Sequence, residues 1–131
     1  MPLPPHSNVL LVEDDLVFQN TFVRVFDLMA GEWKIQAFQQ GSNALQVLAK
    51  PDCQFDLALI DIGLPDISGI DVITAVRHRF AELPILVTTA FTSEETFLSA
   101  IRAGANGYLL KGDSDLSMCH SIELVLQGQY P

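Results

Sequence analysis

The stretch Leu57-Ala58-Leu59-Ile60-Asp61 decides the fold, because four apolar residues lead directly into an acid. A short, continuous apolar run is typical of a strand that is covered on both faces, as in a parallel sheet. Comparable runs lie at residues 9–12 and 85–89, and less regular ones at 33–38 and 108–110. We therefore predict five strands, with 33–38 at an edge of the sheet.

The segments between these runs have apolar residues at spacings of three and four, as in Phe22, Val25 and Phe26, which predicts amphipathic helices. Before the fourth helix, Thr92 to Glu95 matches a capping box with Thr92 at the cap, and Phe97 is expected in the core. Strand and helix alternate five times, which indicates a doubly wound α/β domain with a parallel sheet and helices on both faces.

Length and charge narrow the class of protein. A chain of 131 residues suits a single domain, here 1–131 with a core at about 8–127. The net charge of −9 disfavours direct binding to nucleic acid. Apolar runs fall short of the ~20 residues that span a bilayer, and residues 1–8 lack a signal-peptide pattern. We expect a cytoplasmic domain without membrane contact.

Chemistry-bearing residues follow four of the predicted strands. Glu13-Asp14-Asp15 follows the first, Asp61 ends the third, Thr89 ends the fourth and Lys111 follows the fifth. The acidic run alone fits a helix N-terminus, where the backbone dipole favours carboxylates. Binding sites of such sheets lie at the carboxyl ends of the strands, so all four groups are expected on one rim.

That set of groups suits phosphoryl transfer to a carboxylate. Asp61 would be the nucleophile and form an aspartyl phosphate. A divalent cation, Mg²⁺, would screen the repulsion between the carboxylate and the incoming oxygens. Lys111 and Thr89 would pair with further phosphoryl oxygens, which makes the catalysis one of positioning and charge neutralisation.

The sequence resembles the receiver domains of two-component response regulators over nearly its whole length. The motifs that carry the resemblance are Val9-Leu10-Leu11-Val12-Glu13-Asp14-Asp15, Asp61-Ile62-Gly63-Leu64-Pro65 with Gly69, Pro84-Ile85-Leu86-Val87-Thr88-Thr89-Ala90, and Gly104-Ala105-Asn106-Gly107-Tyr108-Leu109-Leu110-Lys111. The resemblance implies a flavodoxin-like (βα)5 sheet in strand order 2-1-3-4-5. It also implies a regulatory domain rather than an enzyme, one that catalyses only its own phosphorylation and slow dephosphorylation.

Site roles follow from the same resemblance. Asp61 is the phosphoacceptor, and Mg²⁺ is held by Glu13, Asp14, Asp61 and the backbone carbonyl of Gly63. Thr89 and Lys111 contact the phosphoryl group, and Thr89 and Tyr108 form the switch pair. The implied partners are a sensor histidine kinase or phosphotransfer protein, with homodimerisation on activation.

Residues that depart from the common family pattern refine this expectation. Gly112 follows the lysine where many members have proline, which is similar to the NarL/LuxR-type subgroup with a helix-turn-helix output. DNA would then be bound only through an output domain beyond Pro131. The two positions that tune hydrolysis in this family are Gly63 and Phe91 here, and neither side chain can orient a water, so we predict slow self-dephosphorylation.

Three other classes of protein share parts of this pattern. A flavodoxin-type cofactor binder needs phosphate donors after the first strand, where this chain has acids. A phosphatase of the haloacid dehalogenase type needs a second acid two residues after the first, and Gly63 stands there. A degenerate receiver-like interaction module that does not use phosphate stays open as the alternative.

Overall fold

The computed structural model describes residues 6–90 and 93–128. Ten elements alternate along the chain. The strands are β1 (His6–Val12), β2 (Glu32–Phe38), β3 (Leu57–Asp61), β4 (Ile85–Thr89) and β5 (Gly107–Leu110). The helices are α1 (Leu16–Asp27), α2 (Gly41–Leu48), α3 (Gly69–Arg79), α4 (Glu94–Ala103) and α5 (Asp115–Leu126).

All strand pairs are parallel, and the sheet order is β2-β1-β3-β4-β5. This confirms the predicted doubly wound fold, the five strands and the edge position of β2. Every residue of β3 and β4 is buried, as the continuous apolar runs predicted. In β2 the burial alternates, because solvent reaches an edge strand.

Two apolar layers enclose the sheet. Successive residues of β3 point to opposite faces, so that Leu57 and Leu59 pack in one layer and Ala58 and Ile60 in the other. The first layer is completed by α1 and α5, and the second by α2, α3 and α4. Within residues 6–90 and 93–128, no helix combines the length and apolar character that a membrane crossing requires.

Two expectations about α4 are wrong. The helix begins at Glu94, and its N-cap is Ser93, whose hydroxyl accepts from the Thr96 N–H. Thr92, the predicted cap, lies outside the described residues. Phe97 is 37% exposed rather than buried, because Ala100 is the residue with which α4 enters the core.

Candidate functional site

Four side chains that the sequence singled out are placed at the carboxyl ends of four adjacent strands. Glu13 follows β1, Asp61 ends β3, Thr89 ends β4 and Lys111 follows β5. The strand register fixes their spacing: Asp61 pairs with Thr88, and the Lys111 N–H donates to the Thr89 carbonyl at 2.9 Å. Parallel strands end on one side of the sheet, so the fold itself brings these groups together.

An ion cluster occupies the centre of this rim. The Lys111 Nζ lies 2.7 Å from Glu13 Oε1 and 3.0 Å from Asp61 Oδ2. The three side chains are nearly inaccessible, with exposed fractions of 9%, 0% and 7% for Lys111, Glu13 and Asp61. Charges this deeply buried need partners, and each carboxylate here has the ammonium as its counter-ion.

Backbone donors orient the two carboxylates. The Asp15 N–H donates to Glu13 Oε2 at 3.1 Å, and the Gly63 N–H donates to Asp61 Oδ1 at 3.0 Å. The chain also passes very close to itself here: a Cβ on Gly69 would lie 2.3 Å from the Asp61 backbone oxygen. Any larger residue at position 69 would push the end of β3, and with it Asp61, out of place.

The surroundings of the three side chains shift their pKa values in different directions. Burial raises the pKa of Glu13 to about 7 from an ordinary 4.5, although Lys111 and the Asp15 N–H oppose the shift. Burial also disfavours the Asp61 carboxylate, but the Gly63 N–H and Lys111 outweigh it and lower the Asp61 pKa. For Lys111, burial is outweighed by Glu13 and Asp61, so its pKa is raised. At neutral pH, Asp61 is therefore an anion beside a cationic lysine.

The acidic residues form a cluster that fits a metal ion. One carboxylate oxygen each from Glu13, Asp14 and Asp61 lie within 4.8 Å of one another. Such an all-oxygen set is what a hard divalent cation prefers, and a few carboxylates suffice for an ion that retains waters. The Gly63 N–H is bonded to Asp61, and the predicted use of the Gly63 carbonyl as a ligand remains a prediction.

Thr89 and Tyr108 line the same small apolar cavity. Its walls include Val87 of β4 and Ala100 of α4. The Tyr108 ring is half-buried and packs edge-on against Phe97, with 5.2 Å between centroids and 84° between planes. The hydroxyl of Thr89 at a strand end and the aromatic side chain of Tyr108 therefore line one space. Phe91, which the rate prediction also uses, lies outside the described residues.

One contact of the site was not foreseen from the sequence. The Lys111 Nζ lies 4.6 Å from the centroid of the Phe18 ring, which belongs to the first turn of α1. Phe18 follows the apolar spacing of its helix like any core residue, so its sequence position gives no sign of a cation partner. The Gln19 side chain also donates to the Glu13 carbonyl at 2.7 Å, which fastens the loop between β1 and α1.

The fold and the rim together define a doubly wound α/β domain with a lysine-paired acidic pocket. The family described as "Response regulator receiver domain" matches residues 9–123. The chain therefore belongs to the response-regulator receiver family, whose members are regulatory domains of two-component signalling.

Individual relatives agree with this assignment. The chain is 30% identical to the DNA-binding transcriptional activator DevR/DosR of Mycobacterium tuberculosis, over 92% of this chain and 55% of the relative. It is 32% identical to the chemotaxis protein CheY-3 of Vibrio cholerae, over 78% of each. Among solved structures, a CheY-like receiver domain from Methanospirillum hungatei has the same fold, with a TM-score of 0.81 at 24% identity, over 94% of this chain and 95% of that chain.

The relatives differ in length and in kind. The chain spans about half of DevR/DosR and 45% of the transcriptional regulatory protein CitT of Halalkalibacterium halodurans. Because transcriptional regulators and a chemotaxis protein both appear among them, the comparisons establish the receiver family and not a subgroup.

Proposed function

We propose that this chain is a phosphoacceptor domain that takes a phosphoryl group on Asp61 and thereby switches an output. One observation carries the proposal: a buried, ionised Asp61 carboxylate ends the central strand, 3.0 Å from the Lys111 ammonium and inside an acidic cluster. A structural ion pair would not need the additional buried acid Glu13, whose ionisation burial opposes.

The reaction is a displacement at phosphorus. An oxygen of the Asp61 carboxylate attacks the phosphorus of a phosphohistidine on a sensor kinase or phosphotransfer protein. The P–N bond breaks, its electron pair returns to the imidazole nitrogen, and that nitrogen takes a proton from solvent. The Lys111 ammonium moves from the Asp61 oxygen to a phosphoryl oxygen, and it neutralises part of the charge of the phosphoryl group.

Glu13, Asp14 and Asp61 are the side chains that would hold Mg²⁺, with the Gly63 carbonyl as a further ligand. When bound, the ion supplies charge neutralisation between the attacking carboxylate and the phosphoryl oxygens. A solved response regulator from Burkholderia pseudomallei, 26% identical to this chain with a TM-score of 0.77, contains a phosphorylated aspartic acid and a calcium ion. That precedent supports the same chemistry here.

The switch would act through the cavity between β4, α4 and β5. Thr89 turns its hydroxyl toward the phosphoryl group, and Tyr108 moves into the space that Thr89 leaves. This changes the surface of α4 and β5, where Phe97, Leu98 and Ile101 are exposed, and that surface would form the contact for a homodimer or an output domain. A DNA-binding relative such as DevR/DosR supports a DNA-binding output, and Gly112 after the lysine is the residue that supports an output of the NarL/LuxR type.

The test is phosphorylation by a small donor, acetyl phosphate, with Mg²⁺ or with a chelator, followed by intact-protein mass spectrometry. The parent chain should gain one phosphoryl group only with Mg²⁺, and Asp61→Asn should gain none. Asp71→Asn, an exposed acid on α3, is the matched control and should behave as the parent. A parent chain that binds Mg²⁺ but takes no label from acetyl phosphate or phosphoramidate would instead support the degenerate interaction module.

The lifetime of the phosphoryl group is a separate prediction. Gly63 is exposed, and a Cβ there would lie 3.8 Å from Asp61 Oδ1, so a side chain at this position would stand beside the phosphoryl group. Because Gly63 offers no group to orient water, hydrolysis should be slow, and Gly63→Asn combined with Phe91→Glu should accelerate it by at least about tenfold. Decay of the labelled protein in Mg²⁺ is the measurement, and an unchanged or slower decay would contradict the prediction.

A further inference from the structure

The Phe18 ring forms one wall around the Lys111 ammonium. Phe18 is the third residue of α1, the helix that starts just after the acidic run, and its ring centroid lies 4.6 Å from Nζ. Asp15 caps this helix by accepting from the Val17 N–H at 2.8 Å, which fixes the first turn and with it the ring. The contact thus joins two segments that the sequence separates by more than ninety residues.

The three partners of the ammonium differ in charge. Glu13 and Asp61 are carboxylates at 2.7 and 3.0 Å, whereas the ring offers only the negative face of its π-system. Carboxylates repel an incoming phosphoryl group, but the ring adds no net charge. It can therefore hold the ammonium without raising the repulsion that the reaction must overcome.

Lysine needs such a holding contact, because four rotatable bonds separate its charge from the backbone. In phosphoryl transfer, the Asp61 carboxylate becomes an acyl phosphate, a mixed anhydride, and Lys111 loses that carboxylate as a charged partner. We infer that Phe18 is a positioning residue, which keeps the Lys111 ammonium at the point where it meets a phosphoryl oxygen. This inference rests on the proposed function and adds a residue to its machinery.

Two substitutions at Phe18 distinguish the contribution of the aromatic ring from that of apolar packing. Phe18→Leu keeps apolar volume and removes the ring, whereas Phe18→Tyr keeps the ring. Val17→Ala, on an exposed residue of the same turn, is the matched control. Each protein is labelled with acetyl phosphate over a range of donor concentrations in saturating Mg²⁺, and its fold is checked by circular dichroism.

Phe18→Leu should lower the labelling rate at saturating donor by about tenfold, which is within the range of a partly desolvated cation–π contact. Its Mg²⁺ dissociation constant should stay within about twofold of the parent, because the carboxylates are unchanged. Phe18→Tyr and Val17→Ala should label at the parent rate. In NMR spectra, the Lys111 ε-methylene protons should show a ring-current shift in the parent and in Phe18→Tyr that is absent in Phe18→Leu.

Distinct results would overturn the inference. Equal slowing in Phe18→Leu and Phe18→Tyr would make Phe18 a packing residue, and no slowing in Phe18→Leu would remove its role altogether. Absence of the ring-current shift in the parent would show that the contact does not form in solution. A parent chain without label would overturn the proposed function and this role together, whereas a labelled parent with an unaffected Phe18→Leu variant refutes only the role of Phe18.

Discussion

Glu13 is the residue with the least favourable environment in the site. Its carboxylate is fully buried and shares one ammonium with Asp61, so two acids compete for a single counter-ion. Burial consequently raises its pKa to about 7, while the pKa of Asp61 is lowered. The two acids therefore behave differently: Asp61 stays ionised, whereas Glu13 retains its proton up to about pH 7, because a second buried charge is disfavoured.

This cost predicts a pH dependence of stability in metal-free protein. The folded protein holds a proton on Glu13 up to about pH 7, whereas the unfolded chain releases it near 4.5. The raised pKa therefore contributes stability that is complete below 4.5 and is lost as the pH rises through 7. Glu13→Gln lacks this loss, so its free energy of unfolding relative to the parent should rise by roughly 2–3 kcal/mol over that range.

Urea unfolding with a chelator present, followed by Trp33 fluorescence at pH about 5 and about 8, measures this difference. Trp33 is a suitable probe because its ring packs against Phe26 at 5.0 Å and would lose that contact on unfolding. A stability difference between the two proteins that stays constant with pH would show that Glu13 does not titrate differently in the folded state.

At the scale of elements, the loop after β3 is fastened to the start of α2. Gln40 occupies the N-cap of α2 but its side chain makes no capping bond. Asp66, which lies in the loop between β3 and α3, supplies the missing acceptors. Its carboxylate oxygens lie 2.9 Å from the Gly41 N–H and 2.9 Å from the Ser42 N–H. One carboxylate thus caps a helix 24 residues upstream and tethers the loop that follows Asp61.

Replacing Asp66 with alanine should lower the melting temperature at neutral pH by a few degrees, because two helix N–H groups lose their acceptor. The Ser42 N–H is the main cause that lowers the Asp66 pKa to about 2 from 3.8. A lowered pKa contributes stability that is complete above 3.8 and is lost as the pH falls through 2. The difference between the parent and Asp66→Ala should therefore shrink in acid.

Thermal unfolding at several pH values checks this prediction, with the exposed Asp52→Ala as the control. A melting temperature unchanged in Asp66→Ala, or lowered equally in Asp52→Ala, would mean that the cap contributes nothing specific.

The elements also show which inferences a sequence permits. Strands β3 and β4 and residues 9–12 of β1 were predictable from their apolar runs, whereas the polar start of β1 at residues 6–8 was not. The rim residues were predictable because strand ends converge. Gly104 ends α4 with a positive φ of 124°, a backbone conformation that favours glycine. Contacts between distant segments were not predictable: Arg77 of α3 donates to the Gly104 carbonyl at 2.7 Å and to the Asn106 side chain at 2.9 Å.

The same limit applies to the site. The pairing of Asp61 with Lys111 could be expected from position alone, since both lie at strand ends. Phe18 and Asp66 could not, because a half-buried aromatic residue and a loop acid have many possible partners. Only the folded arrangement decides which partner each one meets.

For the molecule as a whole, the sheet separates two apolar layers, one on each of its faces. Ile73 of α3 lies in one layer and Ile122 of α5 in the other, and both are fully buried. Because each strand contributes alternate residues to both layers, neither layer can lose its packing while the sheet stays intact.

This architecture predicts additive effects within one cooperative transition. Ile73→Val and Ile122→Val should each lower the free energy of unfolding by about 1 kcal/mol, and the double variant by about 2 kcal/mol, since the two residues belong to different layers. Urea curves followed by circular dichroism and by Trp33 fluorescence should coincide in all three variants. Curves that separate for Ile73→Val, the variant in the layer remote from Trp33, would indicate independent layers.

The central position of β3 has a consequence for how activation can be observed. Its amides are covered on both faces and paired on both sides, so they should take up deuterium only when the entire domain opens. Asp61, the proposed phosphoacceptor, thus ends a strand that should exchange more slowly than the edge strands of the sheet. Deuterium uptake in β3 therefore provides an internal reference for opening of the whole domain. A change of exchange in α4 and β5 that is not accompanied by a change in β3 would report the switch alone.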